Sequence, residues 1–261
     1  MSDGADTFAA FARSLPRGPG RVHVRPGPVA EVVFHSSGKH NALDAGMMLD
    51  FGAAAGLLAD ARVIILRGEG ESFCAGGDLG AVEDYLGAPS IGSGLGGFMS
   101  RAVADLRKLD AIVLAAVRGP ALGGGAELLA ACDYVIAAPD ARIGWVQARL
   151  GVSPGFGGGG HLVRRVGSAR AIRLLIEART LTAEEAREAG LVDTIEADPV
   201  ATARAWAAAA VALPESALRA AVRVVRAAGG PDAAQREAEA FASLWGGPDH
   251  RDALAARRRP R

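Results

Sequence analysis

The stretch Ile112-Val113-Leu114-Ala115-Ala116-Val117-Arg118-Gly119-Pro120-Ala121-Leu122-Gly123-Gly124-Gly125-Ala126-Glu127 decides the fold. Its first six residues are apolar without alternation, which reads as a strand buried on both faces, as in a parallel sheet. Gly119 and Pro120 turn the chain. The segment from Glu127 to Ala131 then reads as a helix. The same order occurs upstream, where the apolar run Val63 to Leu66 precedes Phe73-Cys74-Ala75-Gly76-Gly77-Asp78-Leu79 and a further helix. Each cluster places unhindered backbone N–H groups at a helix start, where donors lack partners and the dipole favours negative charge. Two such starts side by side in one sheet converge two donors on one oxygen, which is an oxyanion hole. Glycine also lets a helix pack closely on a strand, so either cluster alone has a purely structural alternative.

Outward from these clusters, Val29 to His35 and Tyr134 to Ala138 read as strands, and Met47 to Leu58 reads as a helix capped within Asn41-Ala42-Leu43-Asp44. Strands alternating with helices indicate an α/β architecture with right-handed crossovers. From Ser168 onward helices dominate: Ser168–Glu177, Thr182–Glu188, Val200–Leu213, Glu215–Ala228 and Asp232–Trp245, with Leu191–Ile195 as the one late strand. The expected organisation is an α/β core over residues 1–195 and a helical C-terminal segment over 196–261. Within the core, residues 1–26 read as a loosely held lead-in with a short helix at Thr7–Ser14.

Two other glycine clusters imitate the dinucleotide pattern G-x-G-x-x-G, at Gly92–Gly97 and Gly155–Gly160. That fingerprint needs a preceding strand and an acidic residue about 20 positions on. Gly92 follows a loop, and no acid falls at the right distance after Gly160. The first therefore reads as a mobile surface loop and the second as a tight helix entry after Pro154. The wider segment from Val82 to Ser100 is Gly-rich and is the expected determinant of ligand specificity.

Composition excludes several classes. The 261 residues carry 29 basic and 29 acidic side chains, so no global positive field exists for nucleic acid. The longest apolar run, Ala205 to Leu213, is nine residues, against about 20 for a membrane span. The start of the chain lacks the apolar stretch of a secretory signal. Cys74 and Cys132 are too few for a disulfide framework or a zinc site, and point to a reducing, cytoplasmic setting. No histidine is placed to activate Cys74, which reads as a small buried residue. His161 reads as a surface or interface residue in a helix start. Glycine is abundant, 35 residues, about twice the roughly 7% average; part of this matches a general Ala, Arg and Gly bias, and the clusters need a local reason.

The two helix-start clusters, in this order, resemble the oxyanion-hole segments of the crotonase (enoyl-CoA hydratase/isomerase) superfamily. The resemblance runs from Asn41-Ala42-Leu43 through Ala189-Gly190-Leu191-Val192 to the Arg-rich end. Within the superfamily, Asn41–Leu49, Gly119–Asp133, Val146–Gly158 and Trp245-Gly246-Gly247-Pro248 resemble members that decarboxylate branched malonyl thioesters. The resemblance implies a crotonase-like spiral of ββα units and an enzyme that stabilises an enolate. It implies Gly77 and Gly124 as backbone donors to a thioester oxygen, and Glu127 as one of the two glutamates that hydratases use. The second glutamate falls at Gln147. Adding water needs one group to take a proton and another to give one, and an amide does neither, so Gln147 disfavours an efficient hydratase. Gln147 is otherwise a polar residue at a strand end.

Lys39, Ala42, Ala75, Gly76, Asp78, Leu79, Gly123, Trp145 and Arg258 are the implied contacts to substrate and coenzyme A. The run Arg257-Arg258-Arg259 has a solvated terminus as its alternative. The implied reaction is decarboxylation of ethylmalonyl-CoA or methylmalonyl-CoA, with coenzyme A entering as part of the substrate and no separate cofactor or metal. The alternatives are an enoyl-CoA hydratase or isomerase, and a weakly active acyl-CoA-binding scaffold. The implied assembly is a homotrimer or a dimer of trimers, with no nucleic-acid or membrane partner.

Overall fold

The computed structural model describes residues 2–83 and 89–257. Among the described residues, nine strands form two sheets. The larger contains β1 (Arg21–Arg25), β2 (Val29–His35), β3 (Val63–Gly68), β4 (Ile112–Val117), β6 (Tyr134–Ala137) and β9 (Thr194–Ile195), in the order β1-β2-β3-β4-β6-β9. The smaller contains β5 (Pro120–Leu122), β7 (Arg142–Gly144) and β8 (Leu181–Thr182), in the order β5-β7-β8. Every pairing in the larger sheet is parallel except the edge pair β1–β2. That is why its central strands β3, β4 and β6 carry continuous apolar runs: a parallel sheet is covered on both faces.

The alternation hidden in those runs separates two cores. Ile64 and Leu66 of β3, Val113 and Ala115 of β4, and Val135 and Ala137 of β6 pack on one face, with α2 (Ala45–Ala54) and α4 (Pro89–Lys108). Val63, Ile65, Leu114, Ala116 and Ile136 pack on the other, against Ala203, Ala207 and Ala210 of α9 (Pro199–Val211) and Leu218 and Val222 of α10 (Glu215–Ala227). The first helices after residue 195 thus complete the core of the larger sheet. One buried carboxylate reinforces this face: Glu31 of β2 accepts from Arg67 at 2.9 Å and from the exposed Arg204 of α9 at 2.6 Å. α11 (Ala233–Leu244) and α12 (Pro248–Arg257) follow, with Phe241 and Trp245 exposed. No described helix is long and apolar enough to cross a membrane.

Two expectations are corrected here. Residues 1–26 are not a loose lead-in: α1 (Ser2–Ser14) is a full helix, Phe8 is completely buried, and β1 pairs with β2 along its whole length. Gly92–Gly97 is not a loop but lies inside α4. Its glycines carry a tertiary contact, since a Cβ on Gly94 would sit 2.3 Å from the Gly4 carbonyl oxygen. Helix α1 therefore lies almost directly on the α4 backbone, with Phe8 against Phe98 at a ring separation of 5.4 Å. The burial of α1 offsets the roughly 1 kcal/mol that each interior glycine costs a helix. The part of the Val82–Ser100 segment at residues 84–88 lies outside the described residues.

Because Phe8 is fully buried, Phe8→Ala should destabilise the protein by about 3–5 kcal/mol. Urea denaturation followed by circular dichroism measures this; a loss below about 1 kcal/mol would mean that α1 is dispensable to the core.

Candidate active site

The segment Cys74–Asp78 is threaded between two backbone partners. On one side it forms a parallel bridge between Cys74 and Ala121: the Cys74 N–H donates to the Pro120 carbonyl at 3.0 Å, and the Leu122 N–H to the Cys74 carbonyl at 3.0 Å. On the other side Leu43 bridges Gly77, donating to the Gly76 carbonyl at 2.7 Å and accepting from the Asp78 N–H at 3.0 Å. In this pattern Leu43 bonds the residues flanking Gly77 and leaves the Gly77 N–H unused. Asn41 holds the approach: its Oδ1 accepts from the Ser36 N–H, and its Nδ2 donates to the carbonyls of Glu69 and Ser72. The N-cap of α2 is Asp44, whose Oδ1 accepts from the Met47 N–H at 2.8 Å.

Gly76 has φ +94°, a conformation that favours glycine. A Cβ there would lie 2.8 Å from the Leu122 carbonyl oxygen and 3.1 Å from the Gly124 nitrogen. The two clusters singled out by their sequence context are thus in direct backbone contact. Gly124 opens α5 (Gly124–Ala130), and Gly123, its N-cap, is tied down by donating to the Gly144 carbonyl at 2.9 Å. Among the described residues, neither the Gly77 nor the Gly124 N–H has a hydrogen-bond acceptor. These are two free donors on adjoining backbone, the arrangement an oxyanion requires.

One turn along α5, Glu127 is buried. Its Oε1 accepts from Gln147 Nε2 at 2.9 Å and from the Gly155 N–H at 3.1 Å. Its Oε2 accepts from the N–H groups of Phe156 at 2.8 Å and Gly158 at 2.9 Å. A carboxylate offers about four lone-pair sites, and all are occupied. Burial pushes the Glu127 carboxyl above the ordinary range, and the four N–H donors pull against it without reversing the shift. Gly158 opens α6 (Gly158–Val166), and a Cβ on it would fall 2.3 Å from Glu127 Cγ. The Gly155–Gly160 cluster is therefore the tight helix entry its sequence suggests, and also an anion-binding nest of backbone donors. Sequence reasoning missed that second role, because the anion it binds is 28 or more positions away. Gln147 begins a 3₁₀ turn, Gln147–Leu150, and the Glu127 carboxylate fixes which end of its amide faces inward. Gln147 Oε1 and Trp145 Nε1 are both buried without partners among the described residues.

The other residues implied as contacts divide into two groups. Ala42, Ala75, Gly76, Asp78 and Gly123 lie on or beside the two bridged segments. Lys39 is half exposed and donates to Asp78 Oδ2 at 2.6 Å, so its charge is paired at the rim of a cleft of about 470 Å³. Leu79 is exposed, whereas Trp145 is fully buried at the end of β7. Arg258 lies outside the described residues. Cys74 is buried, and burial pushes its thiol up to about 12. His161 bonds Arg164 at 2.7 Å through Nδ1, and burial with that neighbouring cation pushes the imidazole down to about 4. No group of three or more described His, Cys, Asp or Glu residues is arranged to hold a metal.

A parallel-sheet fold that ends in two free backbone donors on adjoining segments is an arrangement suited to an enzyme that handles a developing oxyanion. The chain belongs to the enoyl-CoA hydratase/isomerase family, whose sequence profile matches residues 25–252. It is 34% identical over 237 residues to ethylmalonyl-CoA decarboxylase of Danio rerio, covering 86% of this chain and 78% of that protein. The Gallus gallus protein of the same name is 35% identical over 210 residues, covering 77% and 70%. Among solved structures, enoyl-CoA hydratase from Bacillus anthracis superposes with a TM-score of 0.83 at 28% identity, covering 90% of this chain and 95% of that one. A putative enoyl-CoA hydratase from Streptomyces coelicolor gives 0.84 at 28%, covering 95% and 96%. The crotonase-like fold expected from the sequence is thereby shown.

Gly158→Ala drives a methyl group into Glu127. It should lower the unfolding free energy by about 1–3 kcal/mol, the usual cost of overpacking, and reduce turnover of any acyl-CoA substrate at least tenfold. Thermal melts and steady-state rates check this; wild-type values for both would contradict the nest.

Proposed function

We propose that this chain decarboxylates a small branched malonyl-CoA, ethylmalonyl-CoA or methylmalonyl-CoA. The observation that carries the reading is the Glu127–Gln147 pair. Hydration needs one group to take a proton and another to give one, and here one carboxylate faces an amide at 2.9 Å with its remaining acceptor sites filled by backbone donors. Decarboxylation asks less of side chains. The bond from the α-carbon to the carboxylate breaks, carbon dioxide leaves, and the electron pair passes into the thioester as an enolate. The N–H groups of Gly77 and Gly124 are positioned to receive the charge developing on the enolate oxygen. A single donor of this kind is typically worth about 3–4 kcal/mol. The α-carbon then takes a proton from water, leaving hydroxide that hydrates the released carbon dioxide to bicarbonate, and the product is butyryl-CoA from ethylmalonyl-CoA or propionyl-CoA from methylmalonyl-CoA.

Gln147 suits this chemistry as an uncharged neighbour. A cation at its position would hold the departing carboxylate in place, and a carboxylate would need to be protonated beside the substrate's own carboxylate. The relatives named ethylmalonyl-CoA decarboxylase support the same choice. The second reading, hydration of an enoyl-CoA, is favoured by the presence of Glu127 and by the names of the structural neighbours.

Incubating the protein with ethylmalonyl-CoA, methylmalonyl-CoA and crotonyl-CoA and following product masses separates the two. The expected result is loss of carbon dioxide from a malonyl thioester with crotonyl-CoA largely unchanged; rapid hydration of crotonyl-CoA with both malonyl thioesters intact would overturn the proposal. Gln147→Glu places two carboxylates where an amide now donates to one, so that the pair shares a proton. This variant should release carbon dioxide at least tenfold more slowly and hydrate crotonyl-CoA faster than wild type, measured by the same mass assay.

A further inference from the structure

The structure places one large side chain against the candidate oxyanion hole that neither chemistry uses. A Cβ on Gly124 would meet the Phe156 ring at 2.4 Å from Cε2, 2.9 Å from Cδ2 and 3.0 Å from Cζ. The ring therefore fills the volume directly beside the Cα that follows one of the two oxyanion donors. Phe156 is buried, and the turn that carries it is held by hydrogen bonds. Its own N–H donates to Glu127 Oε2, the N–H groups of Gly155 and Gly158 donate to the same carboxylate, and the Gly155 carbonyl accepts from Ser100 Oγ of α4 at 3.2 Å. A ring on a turn pinned from two helices cannot withdraw without breaking several hydrogen bonds in a buried site, each costly to lose.

We propose that Phe156 sets the size of the acyl branch: its ring closes the pocket at the α-carbon and admits a substituent of one or two carbons while excluding longer ones. This rests on the reading of the site as one for branched malonyl thioesters. A carbonyl oxygen bonded to the Gly124 N–H brings its α-carbon beside the ring. Close-packed walls respond to single methylenes because they do not collapse or expand freely. Each added methylene in such a pocket is worth about tenfold or more in kcat/KM. Glu127 acts here as a positioning residue that holds the wall, and Ser100 supports it through the Gly155 carbonyl.

The test uses the full chain with Phe156→Ala and Phe156→Leu. Carbon dioxide release is measured from ethyl-, propyl- and butylmalonyl-CoA, and calorimetric binding from butyryl-, pentanoyl- and hexanoyl-CoA, the unreactive saturated thioesters with the corresponding chains. The expected result is that the kcat/KM ratio of butylmalonyl- to ethylmalonyl-CoA rises at least about 30-fold in the alanine variant and less in the leucine variant. The binding ratio of hexanoyl- to butyryl-CoA should shift in the same direction. Ratios within threefold of wild type in folded variants, verified by circular dichroism, would overturn the proposal. If the alanine variant does not fold, the leucine variant decides by the direction of the same two ratios. If wild-type protein releases no carbon dioxide from any substrate, the decarboxylase reading fails on its own. The binding ratios then decide the role of Phe156: a shift sustains it as the wall of an acyl pocket, and no shift overturns it.

Discussion

The site depends on backbone pairing around five residues. Cys74–Asp78 hangs between Ala121 on one side and Leu43 on the other, and both contacts are parallel bridges made of main-chain hydrogen bonds. Side chains have little part in this geometry. Strands β3 and β4, paired in parallel, deliver the two clusters to the same end of the sheet. This is the end where ligands of α/β proteins are generally held. The bridges then fix the depth at which Gly76 meets the Gly124 nitrogen. Gly124 is buried and Gly77 half-buried, and neither N–H has an acceptor among the described residues.

The second constraint is the buried carboxylate of Glu127. Burying a charge costs several kcal/mol unless hydrogen bonds replace its water. Four N–H groups do so here, three of them from one turn of backbone. The arrangement serves the fold and the site together. It orders the entry to α6, orients Gln147, and sets Phe156 against Gly124. It also limits the chemistry of Glu127, which must release one of its donors before it can handle a proton.

Much of this was legible in the sequence, for identifiable reasons. Strand β4 spans the residues that its apolar run defines, because a parallel sheet covered on both faces needs no polar alternation. Gly76-Gly77 and Gly123-Gly124 stood out because each joins a buried strand to a helix, which is a local pattern. What was not legible depends on contacts between distant segments. Gly92–Gly97 forms a helix only because α1 lies against it, and glycine's own preference points the other way. Strands β5, β7 and β8 are two or three residues long, too short for periodicity to register. The role of Gly155–Gly158 as a nest follows from Glu127 on another helix, and no spacing within the cluster announces it.

If Gly77 and Gly124 together polarise a thioester carbonyl, vibrational spectroscopy of that bond reads it directly. Butyryl-CoA labelled with carbon-13 at the thioester carbonyl, bound to the wild-type protein, gives an isotope-edited infrared difference spectrum of that one group. Two backbone hydrogen bonds in a dry site shift its stretching band to lower frequency than in water. A band at the frequency of free butyryl-CoA, with binding established by calorimetry on the same sample, would contradict the account.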